Sequence, residues 1–127
     1  ISGGMARRVA LARATVLDPN LILYDEPFAG LDPISLGITA NLIRKLNDSL
    51  RATSVIVTHD VAETFEIADR VILLASRPSG AKIICQGKPS EIQESNNNEV
   101  KQFIEGRMYG PVKFHYPAEN IVDFFRN

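Results

Sequence analysis

Leu21-Ile22-Leu23-Tyr24-Asp25-Glu26-Pro27 is the stretch that organises the chain. An apolar run ends in two adjacent carboxylates and a proline. Such a run reads as a buried strand in a parallel sheet covered on both faces. A buried strand does not tolerate charge, so Asp25 and Glu26 belong just past its carboxyl end, where ligands bind in open α/β sheets. A strand entering a solvated turn would carry the same pattern, so the neighbouring residues have to decide between the two.

Upstream, Ser2-Gly3-Gly4-Met5 opens a helix expected over residues 2–17. Ser2 suits an N-cap, because its hydroxyl can accept a first-turn amide. Bare amides beside two glycines also make an anion site, while the plainer alternative is a serine-capped helix. Ala6-Arg7-Arg8-Val9-Ala10-Leu11-Ala12-Arg13-Ala14 favours helix throughout. Val9, Ala12 and Val16 are expected to share its apolar face, with Arg7 and Arg8 solvated, and Asp18-Pro19 stops it.

Downstream, Asp32 is a natural N-cap with Pro33 at the first helical position. The helix is expected over 34–50, with Ile38, Leu42, Ile43, Leu46 and Leu50 as its stripe. Ser54-Val55-Ile56-Val57-Thr58 is a β-branched second strand. Asp60 with Glu63 has capping-box spacing for a helix over 61–68. That leaves His59 on the same sheet edge as Asp25 and Glu26, although a lone histidine at such a turn is more often structural. A third strand is expected over 70–75 and a returning strand over 82–86, with the turn Arg77-Pro78-Ser79-Gly80 between them. Ser90 with Gln93 suggests a capped short helix, and 99–105 one more. Residues 106–127 differ in composition: Met108, Tyr109, Phe114, Tyr116, Phe124 and Phe125 load the end of the chain with large apolar groups, which more often marks a docking surface, the equal alternative being a tail folded back on its own domain.

The 127 residues are 23% charged and 45% hydrophobic, with a formal net charge of −1. That is ordinary for a globular domain and gives no argument for nucleic acid or an anionic membrane surface. The single cysteine, Cys85, rules out an internal disulfide framework and reads as a small buried hydrophobe. No apolar stretch approaches the roughly 18–20 residues that span a bilayer. The opening Ile1-Ser2-Gly3-Gly4 has no signal-peptide character and no initiator Met, so the chain reads as a piece of a longer protein.

Taken together, Ile1-Ser2-Gly3-Gly4-Met5, the Arg-rich helix and Leu21-Ile22-Leu23-Tyr24-Asp25-Glu26-Pro27 resemble the second half of an ABC-type ATPase. The first stretch is similar to the family's signature, usually Leu-Ser-Gly-Gly-Gln, with Ile1 for Leu and Met5 for Gln. The second resembles a Walker B motif, and Gly30-Leu31-Asp32 the D-loop. Met5 followed by Ala-Arg-Arg, and the tail Gly110-Pro111-Val112 with Phe114 and Tyr116-Pro117, resemble the ATPase subunits of Mce-type lipid transporters, of which the Mla system is best known.

The resemblance implies an α/β, P-loop NTPase fold, of which this chain holds the later part of a mostly parallel sheet with flanking helices. Residues 1–105 would be ATPase domain and 106–127 an extension contacting a second subunit. It implies ATP and Mg²⁺ as cofactors, Glu26 as general base, Asp25 on the Mg²⁺ shell through water, and His59 as the switch histidine at the γ-phosphate. Ser2, Gly3, Gly4 and Met5 would face ATP held mainly by the other subunit, and Asp32 would couple the two sites. Its partners would be a second ATPase subunit, a membrane permease and an Mce-type lipid carrier, with no nucleic acid. It would work in the cytoplasm, peripheral on the inner membrane. No stretch matches G-x-x-x-x-G-K-[ST], so the chain alone is expected to be marginally stable and unable to turn ATP over. In the family the P-loop strand lies between the second and third strands read here, so the sheet is expected to lack a central member and its exposed edges to invite non-native pairing or association. Three alternatives share these motifs: another ABC importer or exporter ATPase, a chromosome-maintenance or DNA-repair ATPase head, and a non-enzymatic dimer-binding module.

Overall fold

The structure is a computed structural model that describes residues 3–112. Nine elements follow in order: α1 (Gly3–Thr15), β1 (Leu21–Asp25), α2 (Pro33–Leu50), β2 (Thr53–Val57), α3 (Val61–Ile67), β3 (Val71–Ala75), β4 (Lys82–Gly87), α4 (Pro89–Gln93) and α5 (Asn98–Ile104). They divide into two compact units, Ile1–Val71 and Ile72–Asn127.

In the first unit β1 and β2 pair in parallel, from Leu21 opposite Thr53 to Asp25 opposite Val57. Parallel neighbours need a crossover, and α2 supplies it. Leu11, Ile22, Tyr24, Phe28, Ala40, Ile43 and Ala52 form the core, with Ile43 and Phe28 each 1% exposed. Leu36, Leu42, Leu46 and Leu50 pack against them, so the buried face of α2 runs through Ala40 and Ile43 while the expected stripe member Ile38 is exposed. The expectation of a sheet covered on both faces is corrected. Ile22 and Tyr24 are buried, but Leu21 and Leu23 beside them are exposed, as are Val55 and Val57. A strand sends alternate side chains to opposite faces, and here α2 covers one of them.

In α1 the buried residue is Leu11, while Val9 and Val16 are exposed, so the expected apolar face is also corrected. Arg7 lies on the Leu11 side, four residues away, and is half-buried rather than solvated. The helix ends at Thr15, whose hydroxyl turns back to donate to the Leu11 and Ala12 carbonyls at 3.2 and 3.0 Å. Ser2 lies outside the described residues.

In the second unit β3 and β4 form their own two-stranded sheet, and a connection as short as residues 76–81 requires antiparallel pairing. Arg77 and Gly80 exchange backbone hydrogen bonds in that turn. β2 and β3 lie in separate sheets, consistent with a sheet that lacks a central member. The Arg77 guanidinium holds the Glu99 carboxylate at 2.6 Å, tying the turn to α5. The Ser90–Gln93 cap is not formed. Pro89 begins α4 at N1, and Glu91 accepts from the Lys88 amide at 2.8 Å, which leaves Ser90 inside the helix.

Candidate active site

The carboxyl ends of β1 and β2 carry the site. Past Asp25 the ladder continues for one bond, from the Glu26 amide to the Val57 carbonyl at 2.8 Å. Glu26 then takes φ 45°, a left-handed conformation that non-glycine residues rarely adopt. Such conformations persist where surrounding contacts over-determine them and cluster at functional sites. The turn brings the Glu26 carboxylate to His59, with Nδ1 3.1 Å from Oε1 and also 3.1 Å from Oε2. Only Oε1 has hydrogen-bonding geometry, and Oε2 is a buried acceptor with no bond among the described residues.

The residues on either side of His59 bond to each other. Thr58 Oγ1 donates to Asp60 Oδ2 at 3.2 Å, and the Asp60 amide donates back to Thr58 Oγ1 at 3.1 Å. Asp60 therefore makes no side-chain cap on α3, contrary to the expected capping box with Glu63, because its carboxylate is used in this turn. The Asp60 carbonyl accepts from Thr64 Oγ1 at 2.6 Å.

Electrostatics follow the geometry. The hydrogen bond from His59, and its charge, hold Glu26 below the usual glutamate range, with Thr58 helping. The same bond and the Glu26 charge hold His59 above its usual value, with Asp60 adding to the effect. The contact thus favours the carboxylate at Glu26 and the imidazolium at His59. The ligand atoms of Glu26, His59 and Asp60 lie within 4.8 Å of one another. Asp25 stands apart from this trio as an exposed carboxylate at the end of β1. One carboxylate in the open matches a Mg²⁺ that keeps most of its waters and takes other oxygens from a nucleotide.

Two clefts flank this edge. One of about 230 Å³ is lined by Arg7, Leu11, Tyr24, Asp25, Glu26 and Pro27 among others. The other, about 320 Å³, is lined by Gly4, Met5, Arg8, Gly30, Asp32 and Ser35 with Leu31, and so joins the glycine end of α1 to the start of α2. A side chain at Gly4 would meet nothing within 4 Å, which leaves that turn open to a bulky group. Gly30 takes φ 68° and lets the chain swing into α2, where Asp32 accepts from the Ile34 and Ser35 amides at 3.1 and 3.0 Å. Ser35, through its side chain and then its amide, holds the Asp32 carboxyl below its usual range. Arg7 donates to the Ala29 carbonyl and ties α1 to this loop, a role the sequence reading missed. Its position one turn before Leu11, on the buried side of α1, was the available signal.

The ABC transporter family model matches residues 1–29. The intermembrane phospholipid transport ATP-binding protein MlaF of Haemophilus influenzae is 48% identical over 122 residues, which is 96% of this chain and 45% of that protein. MlaF of Escherichia coli is 48% identical over 118 residues, covering 93% of this chain and 42% of its own length. In structure, the cbiO1 component of the cbiONQ ABC transporter complex of Clostridium perfringens superposes with a TM-score of 0.65 at 31% identity. That match covers 85% of this chain and 41% of the other. These matches place the chain in the ABC transporter family. Within the family its likeness runs to the ATP-binding subunits of Mla-type phospholipid transport. It spans less than half the length of these relatives.

Proposed function

We propose that this chain is the carboxy-terminal portion of an ATPase subunit that binds and hydrolyses ATP as a dimer and drives an Mce- or Mla-type phospholipid transporter. The observation that carries the reading is the Glu26–His59 contact at 3.1 Å, where the ends of β1 and β2 meet in a chain with this family's motifs.

Glu26 is the general base and Asp25 the holder of the hydrated Mg²⁺, which would neutralise phosphate charge. His59 contacts the γ-phosphate. An ionised Glu26 held low by its histidine is a weak base. A phosphate that draws the imidazolium towards itself returns basicity to Glu26 when the water is in place. The first turn of α1, with Ser2, Gly3, Gly4 and Met5, presents amides to ATP bound mainly by the second subunit, and Asp32 links the two sites. The permease and an Mce-type carrier are the membrane-side partners. No helix among the described residues is long and apolar enough to cross a membrane. In this reading the subunit sits on the cytoplasmic face and attaches through the permease. Residues 106–127 extend to the second subunit.

The test compares the full-length subunit with its Glu26→Gln variant. The variant should lose about 10²–10⁴-fold in turnover while still binding ATP and accumulating as the ATP-bound dimer. Equal turnover in both proteins, or binding by neither, would sink the assignment.

A further inference from the structure

Gln102 is the one polar side chain among the described residues that belongs to the buried set, at 9% exposure. It sits in α5, where a buried amide has to find partners or lose stability. It finds them in the segment that follows the helix. Its Nε2 donates to the Val112 carbonyl at 3.0 Å and to the Arg107 carbonyl at 3.3 Å. Its Oε1 accepts from the Val112 amide at 2.8 Å. The side chain therefore engages both backbone groups of Val112, as a neighbouring strand would.

The rest of the segment is built for that grip. Gly106 takes φ 60° and turns the chain back after α5, and the Arg107 amide donates to the Gln102 carbonyl at 3.0 Å. At Gly110 a Cβ would fall on the Gln102 side-chain amide, so any larger residue there would push that amide out of its grip. Pro111 has no N–H to satisfy there and restricts φ just before the clamped residue. Gln is the side chain that fits: Glu when ionised cannot donate, Met cannot donate and accepts only weakly, and Asn is shorter by a methylene.

We propose that Gln102 is the anchor of the carboxy-terminal extension, a positioning residue whose amide fixes Val112 and so the point from which the extension sets out towards a second subunit. This rests on the reading of the extension as a subunit contact. Ordering a free tail on binding costs conformational entropy, and a tail launched from a fixed point has less to lose.

The experiment uses the full-length subunit with Gln102→Met, Gln102→Glu and Gly110→Ala, and a form truncated after Val112 as reference. Amide hydrogen exchange at Val112, thermal midpoint and dimer dissociation constant are measured on each. Gln102→Met and Gly110→Ala should exchange at Val112 about 10-fold faster with the thermal midpoint nearly kept. Both should weaken the dimer towards the level of the truncated form, with Gln102→Glu between them and native. Native exchange at Val112 in both variants would overturn the anchor. Faster exchange with a native dimer constant, where truncation weakens the dimer, would overturn its positioning role. A truncated form that dimerises like native would instead refute the extension's subunit contact, and exchange alone would then judge the clamp. If Gln102→Met fails to fold, Gly110→Ala carries the test, because it leaves Gln102 in place and only crowds it.

Discussion

His59 and Glu26 stabilise each other's charged forms, and that fixes how the pair responds to pH. Glu26 is held below its ordinary value near 4.5, so its contribution to stability is complete above that pH and is lost as pH falls through the lowered folded-state value. His59 is held above its ordinary value near 6.5, so its contribution is complete below that pH and is lost as pH rises through the raised value. The pair is therefore worth most between those two ordinary values and fades on either side. His59→Ala should lower the thermal midpoint of the full-length subunit most at pH 5–6, and by less at each step above pH 7. With His59 73% exposed, the effect is small and should shrink further in high salt. A midpoint difference that stays flat from pH 5 to 9 would show that the contact does not form in solution. Both residues were legible at the sequence level because each ends an apolar run and the two runs are parallel neighbours. The contact itself was not, since it depends on the left-handed turn at Glu26, which no residue preference signals for a glutamate.

At the scale of elements, the order and type of every helix and strand could be read from periodicity, and most boundaries moved by a residue or two. What could not be read was which polar group takes which amide. Asp60 and Ser90 have capping spacing, yet the first is engaged by Thr58 and the second is displaced by Pro89 at the head of its helix. Of the caps expected from the sequence within the described residues, that of Asp32 does form, and Asp32 lines the cleft beside Gly4 and Met5 as well. Its two roles can be separated. Asn caps a helix as well as Asp does but carries no charge, whereas Ala cannot cap. Asp32→Asn should keep the thermal midpoint while Asp32→Ala lowers it by a few degrees, and circular dichroism melts would show this. If the charge also serves the second nucleotide site, Asp32→Asn should lose turnover despite its intact cap. Native turnover in Asp32→Asn would leave the residue as a cap and nothing more.

For the whole molecule, each sheet leaves an apolar face bare. Leu23, Val57, Ile72, Leu74 and Ile83 are each more than half exposed, although β-branched and aliphatic residues in such runs ordinarily pay off only when buried. Periodicity gave the runs, but it could not say what covers them, because the covering groups are not part of the local pattern. The relatives are more than twice as long as this chain, which offers a source for the cover. The same substitution should then act in opposite directions in two settings. In the chain by itself, bare sheet edges and faces favour association, so sedimentation should show species that grow with concentration. There Leu23→Ser or Val57→Ser should reduce association and cost little stability, and neither form should turn ATP over. In the full-length subunit each of these substitutions would place a hydroxyl in a core and should destabilise by about 1.5–3 kcal/mol in urea titration. If the serine variants are neutral in the long protein, the face is a solvent face there too, and the association of the short chain has another origin. If they destabilise the long protein and disperse the short one, the face that β1 and β2 leave bare here is a buried face there, and its exposure drives the short chain to associate.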